Sequence, residues 1–334
     1  MRIFIVGMYK SGTTWLLSAL AHHPAAVAYR EFDLVRALFE VKGTERRALT
    51  CAEVRRNLLT RYPLCRMTAE QLETVEAEPS ALPDVVPTRK PGTTDPRRTL
   101  GDLDRETLVE LSRELVLSQP PLDRATALLS RLQAVEGQSR TLVLKAADQV
   151  PVMDVLDQLS PGNRKVVIVR DGRDAAVSAF YFRKLMIERG APWARQQTKI
   201  PVEKLFQGWL SRARMILDDR AHDDLYVLRY EDLHRNFSAE LNGLLSWCGM
   251  DHDSSVIETI AAATSFAKQA GRDPGEERAE VLRKGVVGDW REKLSAKEAA
   301  SIWETGGKVL EAFGYGQDGS VEAFSSGPGG TPAH

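Results

Sequence analysis

Short runs of apolar, mostly β-branched residues recur along the chain, and each is followed by a stretch with helical periodicity. Four such runs predict strands at residues 2–7, 141–145, 165–170 and 225–229, and a weaker run covers residues 26–29. Their apolar positions are continuous rather than alternating, which is typical of strands covered on both faces. The pattern therefore predicts an α/β fold, a doubly wound parallel sheet flanked by helices that binds ligands at the C-terminal edge of its strands.

A long insertion separates the strand predicted at 26–29 from the next one. It covers about residues 31–138, and amphipathic patterns predict helices at 103–117 and 122–135. Residues 78–102 contain several prolines and glycines and are expected to form an extended loop. Such an insertion over the ligand edge is interpreted as a substrate cap, and a plain helical subdomain is the alternative.

Composition places the chain among globular proteins. It has 334 residues, 43% of them hydrophobic, and a formal net charge of -1, which argues against a general nucleic-acid-binding protein. We expect one domain over residues 1–315 and a disordered tail over 316–334, which is rich in Gly, Ser and Pro. No stretch approaches the roughly 20 apolar residues of a membrane span. The scattered cysteines, Cys51, Cys65 and Cys248, indicate a cytoplasmic protein with reduced thiols.

The first predicted strand runs directly into residues 7–15, which read Gly-Met-Tyr-Lys-Ser-Gly-Thr-Thr-Trp and open a helix. Glycines let the backbone approach an anion, and N–H groups at a helix N-terminus point at it. Gly7 and Gly12 have phosphate-loop spacing, but Thr13 stands where a lysine usually follows the second glycine. The lysine of this loop is Lys10, inside the turn. The sequence therefore predicts an anion site of an unusual phosphate-loop type.

Two further basic segments are ambiguous when each is read alone. Arg170 ends a predicted strand and Ser178 follows eight residues later on a predicted helix, while Arg173 and Asp174 read equally well as helix-end charges. Residues 283–291 read Arg-Lys-Gly-Val-Val-Gly-Asp-Trp-Arg, which suits either a loop closing on an anion or a solvated basic loop.

Taken in order, these segments resemble the PAPS-dependent sulfotransferases, which transfer a sulfonyl group from 3'-phosphoadenosine 5'-phosphosulfate (PAPS) to an acceptor. The loop of that family reads Pro-Lys-Ser-Gly-Thr-Thr-Trp, and this chain departs from it only at Tyr9. The Arg and Ser of the family's 3'-phosphate element fall on Arg170 and Ser178, and its Arg-Lys-Gly-x-x-Gly-Asp-Trp is matched in full at residues 283–290. Two shorter family segments are matched at residues 230–233 and 264–266.

The resemblance implies PAPS as the cofactor, with adenosine 3',5'-bisphosphate (PAP) as its product and no metal. It implies that the 5'-phosphate is held by Lys10, Thr13 and Thr14 with the backbone N–H groups of Ser11 and Gly12. It implies an adenine pocket formed by Trp15, Tyr230, Thr264 and Phe266. It implies a 3'-phosphate site formed by Arg170, Ser178, Arg283, Lys284 and Gly285.

The resemblance also implies catalytic roles. Lys10 would meet the charge that develops on the departing phosphate, and Lys145, at the end of its strand, would contact the sulfonyl oxygens. The small-molecule branch of the family has Lys-Thr-His where this chain reads Lys-Ala-Ala-Asp at residues 145–148, so the expected histidine is absent. In carbohydrate-acting and many bacterial members a Glu serves instead, and its position here corresponds to Glu31. We therefore predict Glu31 as the general base, with Asp148 second and a helix-terminal role for Glu31 as the alternative.

The predicted reaction is sulfonyl transfer by in-line attack of a hydroxyl group of a small-molecule or carbohydrate-like acceptor. A phosphate-loop kinase using ATP and magnesium is the main alternative, and a non-catalytic nucleotide-binding protein is another. We expect neither nucleic acid nor membrane as a partner, and the sequence leaves the oligomeric state open.

Overall fold

The computed structural model describes residues 1–30, 39–42, 45–48, 95–98, 102–103, 121–147, 150–159, 162–191, 200–220, 222–280, 282–328 and 331–332. The chain forms two compact units, Met1–Ile5 with Leu20–Asn163 and Val6–Ala19 with Arg164–His334. Strand β1 (Arg2–Gly7) and helix α1 (Thr13–Ala21) contribute residues to both units.

The first unit is built on parallel strands. Its strand order is β2–β5–β1, and β2 (Ala26–Tyr29) pairs in parallel with β5 (Thr141–Ala147). Its other elements are the antiparallel pair β3 (Phe39–Lys42) and β4 (Glu45–Ala48), helix α2 (Pro121–Glu136), a 3-10 turn (Val150–Val152) and helix α3 (Met153–Leu159). Helix α2 buries Ala125, Leu128, Leu129 and Leu132, the spacing of one apolar helix face.

The second unit has the strand order β1–β6–β7–β9. Its elements are β6 (Arg164–Val169), α4 (Gly172–Glu188), α5 (Val202–Asp219), β7 (Leu225–Arg229), α6 (Tyr230–Arg235), α7 (Phe237–Trp247), α8 (Ser254–Thr264), α9 (Phe266–Ala270), α10 (Trp290–Lys293), α11 (Ala296–Glu311), β8 (Phe324–Ser325), β9 (Gly327–Pro328) and β10 (Thr331–Pro332). Strands β6 and β7 are parallel, whereas β9 is antiparallel to β7. Strands β8 and β10 form a separate antiparallel pair.

The structure confirms an α/β fold of mostly parallel strands flanked by helices. All five predicted strands are present within two residues of their predicted ends. Strands β1, β6 and β7 are buried along nearly their whole length, which explains their continuous apolarity. The sheet is mixed rather than purely parallel because of β9, which comes from the C-terminal segment.

The insertion at 31–138 is only partly described. The helix predicted at 122–135 is present as α2, and β3 and β4 are a strand pair in a segment expected to be mostly helical. The helix predicted at 103–117 lies outside the described residues after Leu103, as does most of the loop predicted at 78–102. Within its described part, Arg98 forms a parallel bridge with Tyr29 at the end of β2.

The described part of the C-terminal segment 316–334 contains the short strands β8, β9 and β10, which its Gly-, Ser- and Pro-rich composition did not predict. Arg229 is fully buried at the end of β7, where it forms a bidentate ion pair with Asp232. The same guanidinium donates hydrogen bonds to the carbonyl oxygens of Phe313 (3.0 Å) and Glu322 (2.6 Å). The Glu322 carbonyl therefore links this segment to the end of β7. Every residue carries a backbone carbonyl, so composition does not reveal that kind of contact.

No helix among these described ranges is both long enough and apolar enough to cross a lipid bilayer.

Replacing Arg229 with Met should lower the free energy of unfolding by about 3–5 kcal/mol, because the buried Asp232 carboxylate loses its bidentate partner. Arg235 is the matched control, since it lies 3.4 Å from the same carboxylate with a 60% exposed side chain. Arg235→Ala should cost less than about 1 kcal/mol. Urea denaturation of both variants measures the difference, and equal losses would contradict the structural role given to Arg229.

Candidate active site

The loop at residues 7–15, here called the phosphate loop, joins β1 to α1 with a tight turn. The Ser11 N–H and the Ser11 hydroxyl both donate to the Met8 carbonyl oxygen, at 3.1 and 2.5 Å. The N–H groups of Trp15 and Leu16 donate to the Gly12 carbonyl oxygen and so begin α1. The Ser11 N–H, which the resemblance implied as a phosphate ligand, thus serves the turn itself in this structure.

Two residues of the phosphate loop adopt left-handed backbone conformations. Gly12 has φ +104°, and a Cβ atom there would lie only 2.7 Å from Cδ2 of Tyr230. Lys10 has φ +67°, the one described residue other than glycine with a positive φ, which costs roughly 1–3 kcal/mol. Strain of this kind is common at ligand-binding loops. The Lys10 ammonium lies 4.4 Å from the centre of the Phe182 ring.

Arg170 lies between the phosphate loop and a distant loop of the same unit. Its Nη1 is 3.5 Å from the Lys10 carbonyl oxygen, and its Nη2 donates to the Val286 carbonyl oxygen at 3.1 Å. Its guanidinium also lies 4.5 Å from the centre of the Tyr230 ring. Burial tends to lower the pKa of Arg170, but the nearby side chains of Asp174, Tyr230, Glu231 and Asp171 together outweigh burial and raise the pKa above its usual value.

Residues 283–290 are here called the closing segment. Its two cations, Arg283 and Lys284, are already paired with a carboxylate. Arg283 and Lys284 both pair with the buried Asp289, and the Lys284 Nζ to Asp289 Oδ1 distance is 2.8 Å. Lys284 also contacts Glu292 at 2.8 Å, and Arg283 contacts Glu277 at 2.6 Å. Burial tends to raise the pKa of Asp289, but hydrogen bonds from Lys284 and Arg283 outweigh it and lower the pKa.

Aromatic side chains surround Trp15. The Trp15 indole N–H donates to the Thr264 carbonyl oxygen at 3.0 Å, and Tyr230 meets the indole edge-on, with ring centres 5.7 Å apart. Phe237 stacks on Trp15 with a centre-to-centre distance of 5.5 Å. Phe266 packs against Gly285 so closely that a Cβ atom there would clash with its ring. Three of the four residues predicted for the adenine pocket, Trp15, Tyr230 and Thr264, therefore contact one another through the Trp15 indole, and Phe237, which was not predicted, stacks on it.

The remaining predicted residues are placed as follows. Helix α4 begins at Gly172, so Ser178 lies about two turns into it and is half-buried. Lys145 is half-buried in β5 of the first unit. Glu31 and Asp148, the two candidate bases, both lie outside the described residues.

Several residues that contact this site were not predicted. Asp174 was interpreted only as a helix-end charge, and Asp289 was matched as part of the motif at residues 283–290 without a role for its side chain. His234 lies with Nε2 3.1 Å from the Gly285 carbonyl oxygen, and Phe237 has no motif around it that would have identified it. Among the described residues, no group of three or more His, Cys, Asp or Glu side chains is arranged to hold a metal ion.

A buried carboxylate lies behind Arg170. Glu231 accepts hydrogen bonds from the Asp171 N–H at 3.1 Å and from the Tyr315 hydroxyl at 2.7 Å. Burial, reinforced by the nearby Asp171 carboxylate, raises the pKa of Glu231 to about 7. The proton on this group therefore titrates near neutral pH rather than near pH 4.5.

Comparison with known proteins places this site in a family. The family described as Sulfotransferase domain matches residues 1–314. The chain is 24% identical to mouse Sulfotransferase 1B1 over 250 residues, which covers 69% of this chain and 83% of the mouse protein. It is also 24% identical over 147 residues to a guinea-pig 3-beta-hydroxysteroid sulfotransferase, covering 40% of this chain and 51% of that relative.

Solved structures show the same fold at low identity. The sulfotransferase domain of the Synechococcus PCC 7002 olefin synthase superimposes with a TM-score of 0.51 at 18% identity, covering 91% of this chain and 94% of that one. The sulfotransferase domain of the curacin biosynthetic pathway gives 0.52 at 15% identity, covering 91% and 96%.

An α/β fold with a phosphate loop after its first strand defines a broad class of group-transfer enzymes. The match over residues 1–314 is more specific, and the chain belongs to the sulfotransferase family. This membership confirms the prediction of a PAPS-dependent sulfotransferase made from the sequence motifs.

The raised pKa of Glu231 makes the stability of the protein depend on pH. Between about pH 5 and 7 the folded state holds a proton on this group that the unfolded chain has released, so the free energy of unfolding should fall as pH rises through this window. The loss is on the order of 2–3 kcal/mol.

Glu231→Gln should remove this component, and urea denaturation from pH 5 to 8 would show the variant gaining stability relative to the wild type as pH rises. Glu304→Gln changes an exposed carboxylate on α11 and should follow the wild-type profile. Parallel profiles for wild type and Glu231→Gln would contradict the assignment.

Proposed function

We propose that the second unit holds PAPS between the phosphate loop, Arg170 and the closing segment, and that the sulfonyl group is transferred to a hydroxylated small molecule. The observation that carries this proposal is the position of Arg170. Its guanidinium contacts backbone carbonyls of both the phosphate loop and the closing segment, which are 160 and 116 residues away in sequence. The predicted 5'-phosphate and 3'-phosphate elements are thereby neighbours within one unit.

The chemistry of these residues fits a nucleotide with two phosphate groups. Arg283 and Lys284 already bind a carboxylate, Asp289, with charge-assisted hydrogen bonds, and a phosphate presents the same kind of oxygen acceptors. Gly12 lies against Tyr230 and Gly285 lies against Phe266, and a Cβ atom at either glycine would clash with the neighbouring ring. Trp15 and Phe237 offer the flat apolar surface that a purine base requires.

PAPS supplies the sulfonyl group together with a bisphosphate leaving group. The task left to the protein is alignment of the acceptor oxygen with the sulfur and stabilisation of the negative charge that develops on the departing phosphate. We assign that charge stabilisation to Lys10, the lysine of the phosphate loop. Lys145 is proposed to contact the sulfonyl oxygens.

A general base must accept the acceptor's proton, and we assign this role to Glu31, with Asp148 as the second candidate. The support is chemical and comes from the sequence. The histidine of the small-molecule branch is replaced in Lys145-Ala146-Ala147-Asp148, and both candidates are carboxylates next to predicted strand ends.

The acceptor is proposed to be a hydroxylated small molecule or a carbohydrate-like compound. Relatives of the chain include a hydroxysteroid sulfotransferase, which supports a small-molecule acceptor. We propose that residues 1–315 act as one catalytic domain in the cytoplasm, where the buried thiol of Cys248 would stay reduced. The insertion at 31–138 is proposed to cover the acceptor.

The binding preference tests the assignment. Isothermal titration without magnesium should show that PAP binds at least tenfold more tightly than adenosine 5'-phosphate, because only PAP reaches Arg170 and Arg283. Arg283→Ala should weaken PAP binding roughly 10- to 100-fold, the loss expected for one charge-assisted hydrogen bond pair, and leave adenosine 5'-phosphate binding nearly unchanged.

The matched control is Arg278→Ala. Arg278 is an exposed arginine shortly before the closing segment, and it pairs with Glu276. Its affinity for PAP should equal that of the wild type. Equal affinity of the wild type for both nucleotides would contradict the 3'-phosphate site. Tight binding of ATP only with magnesium would favour the kinase alternative.

Substitution of the candidate bases tests the mechanism. Glu31→Gln should reduce turnover of PAPS by roughly 10²–10⁴-fold while PAP affinity stays within about twofold, because a base acts on the acceptor rather than on the nucleotide. Asp148→Asn should retain most of the activity. The reverse ranking of the two variants would transfer the role to Asp148.

A further inference from the structure

A buried carboxylate on helix α4 holds the closing segment through hydrogen bonds to its backbone. Asp174 is the third residue of α4, and its side chain is 0% exposed. Its Oδ2 accepts a hydrogen bond from the Gly288 N–H at 2.7 Å, and its Oδ1 accepts one from the Trp290 N–H at 2.9 Å. These two amides belong to a segment 114 and 116 residues further along the chain.

The two amides stand on either side of Asp289. That residue is the carboxylate that holds Arg283 and Lys284 in the described structure. Asp174 therefore fixes the backbone from which the partner of both cations projects. If the two amides were released, the ion pairs of Asp289 would no longer place Arg283 and Lys284 at a defined position.

The Asp174 carboxylate also contacts Arg170, the third cation of the proposed 3'-phosphate site. Oδ2 of Asp174 lies 3.5 Å from Nη2 of Arg170, and this guanidinium nitrogen also donates to the Val286 carbonyl oxygen. Asp174 is thus in contact with the cation that follows β6 and with the backbone of the segment that carries the other two cations. It accepts from both and offers no donor to a phosphate.

We propose that Asp174 is a positioning residue for the 3'-phosphate site, acting through Arg170 and the closing segment without touching the nucleotide. This inference rests on the function proposed above. The inference predicts that Asp174 contributes to the preference of the protein for nucleotides with a 3'-phosphate. The residues that Asp174 positions are those proposed to hold that group.

The direct test is Asp174→Asn, which has nearly the same shape but has one acceptor oxygen where two are needed. Titration with PAP should show roughly tenfold weaker binding, whereas binding of adenosine 5'-phosphate should stay within about twofold. Hydrogen exchange of the ligand-free variant should be faster at the amides of Gly288 and Trp290 and unchanged in α11.

Glu298→Gln is the matched control, because Glu298 also accepts a backbone N–H at a helix start, that of Ser295 at 2.8 Å, but outside the site. It should bind both nucleotides as the wild type does. If Asp174→Asn does not fold, Asp174→Glu keeps the charge and displaces it by one methylene, and the same split in affinity is expected.

Equal loss for both nucleotides, or unchanged PAP affinity with unchanged amide exchange, would overturn the role of Asp174 while the proposed function stands. A wild-type protein without preference for PAP would instead overturn the proposed function.

Discussion

The start of helix α4 buries three charged side chains in four residues, and burying charge requires partners. Asp171, Arg173 and Asp174 are each at most 4% exposed. Arg173 pairs with Asp171 at 2.8 Å, lies 4.0 Å from the Trp290 ring and donates to the Gly316 carbonyl oxygen. Because an unpartnered buried charge costs several kcal/mol, hydrogen-bonding groups that remain after the local Arg173–Asp171 pair need partners from distant segments. The closing segment and the chain after α11 are held in place in this way.

A site for a bisphosphate must also be stable when no bisphosphate is present. Arg283 and Lys284 would repel each other without an anion, and Asp289 supplies one from the same segment. In the proposed binding mode, the nucleotide would exchange partners with cations that are already assembled. Such preorganisation lowers the entropy lost on binding. Asp174 thus holds the backbone of the closing segment, and Asp289 holds its two cations.

The sequence was sufficient to predict the strands β1, β2, β5, β6 and β7, but not the short strands β3, β4, β8, β9 and β10. It also identified the local motifs at residues 7–15 and 283–290, on which the proposed site rests. Buried parallel strands are continuously apolar, and the phosphate loop and the closing segment each carry their chemistry within about ten residues. Contacts made through the backbone were not predictable. Arg229 contacts the segment after residue 315 through the Glu322 carbonyl oxygen, and the partners of Asp174 are amides that any residue could offer. Side chains such as Phe237 reach the site only through the fold.

A crystal structure of the complex with adenosine 3',5'-bisphosphate tests most directly whether these buried charges form the 3'-phosphate site. The 3'-phosphate should contact Arg170 and at least one of Arg283 and Lys284, and Asp174 should still accept hydrogen bonds from the amides of Gly288 and Trp290. A 3'-phosphate exposed to solvent, or a closing segment detached from Asp174 in the complex, would contradict the account.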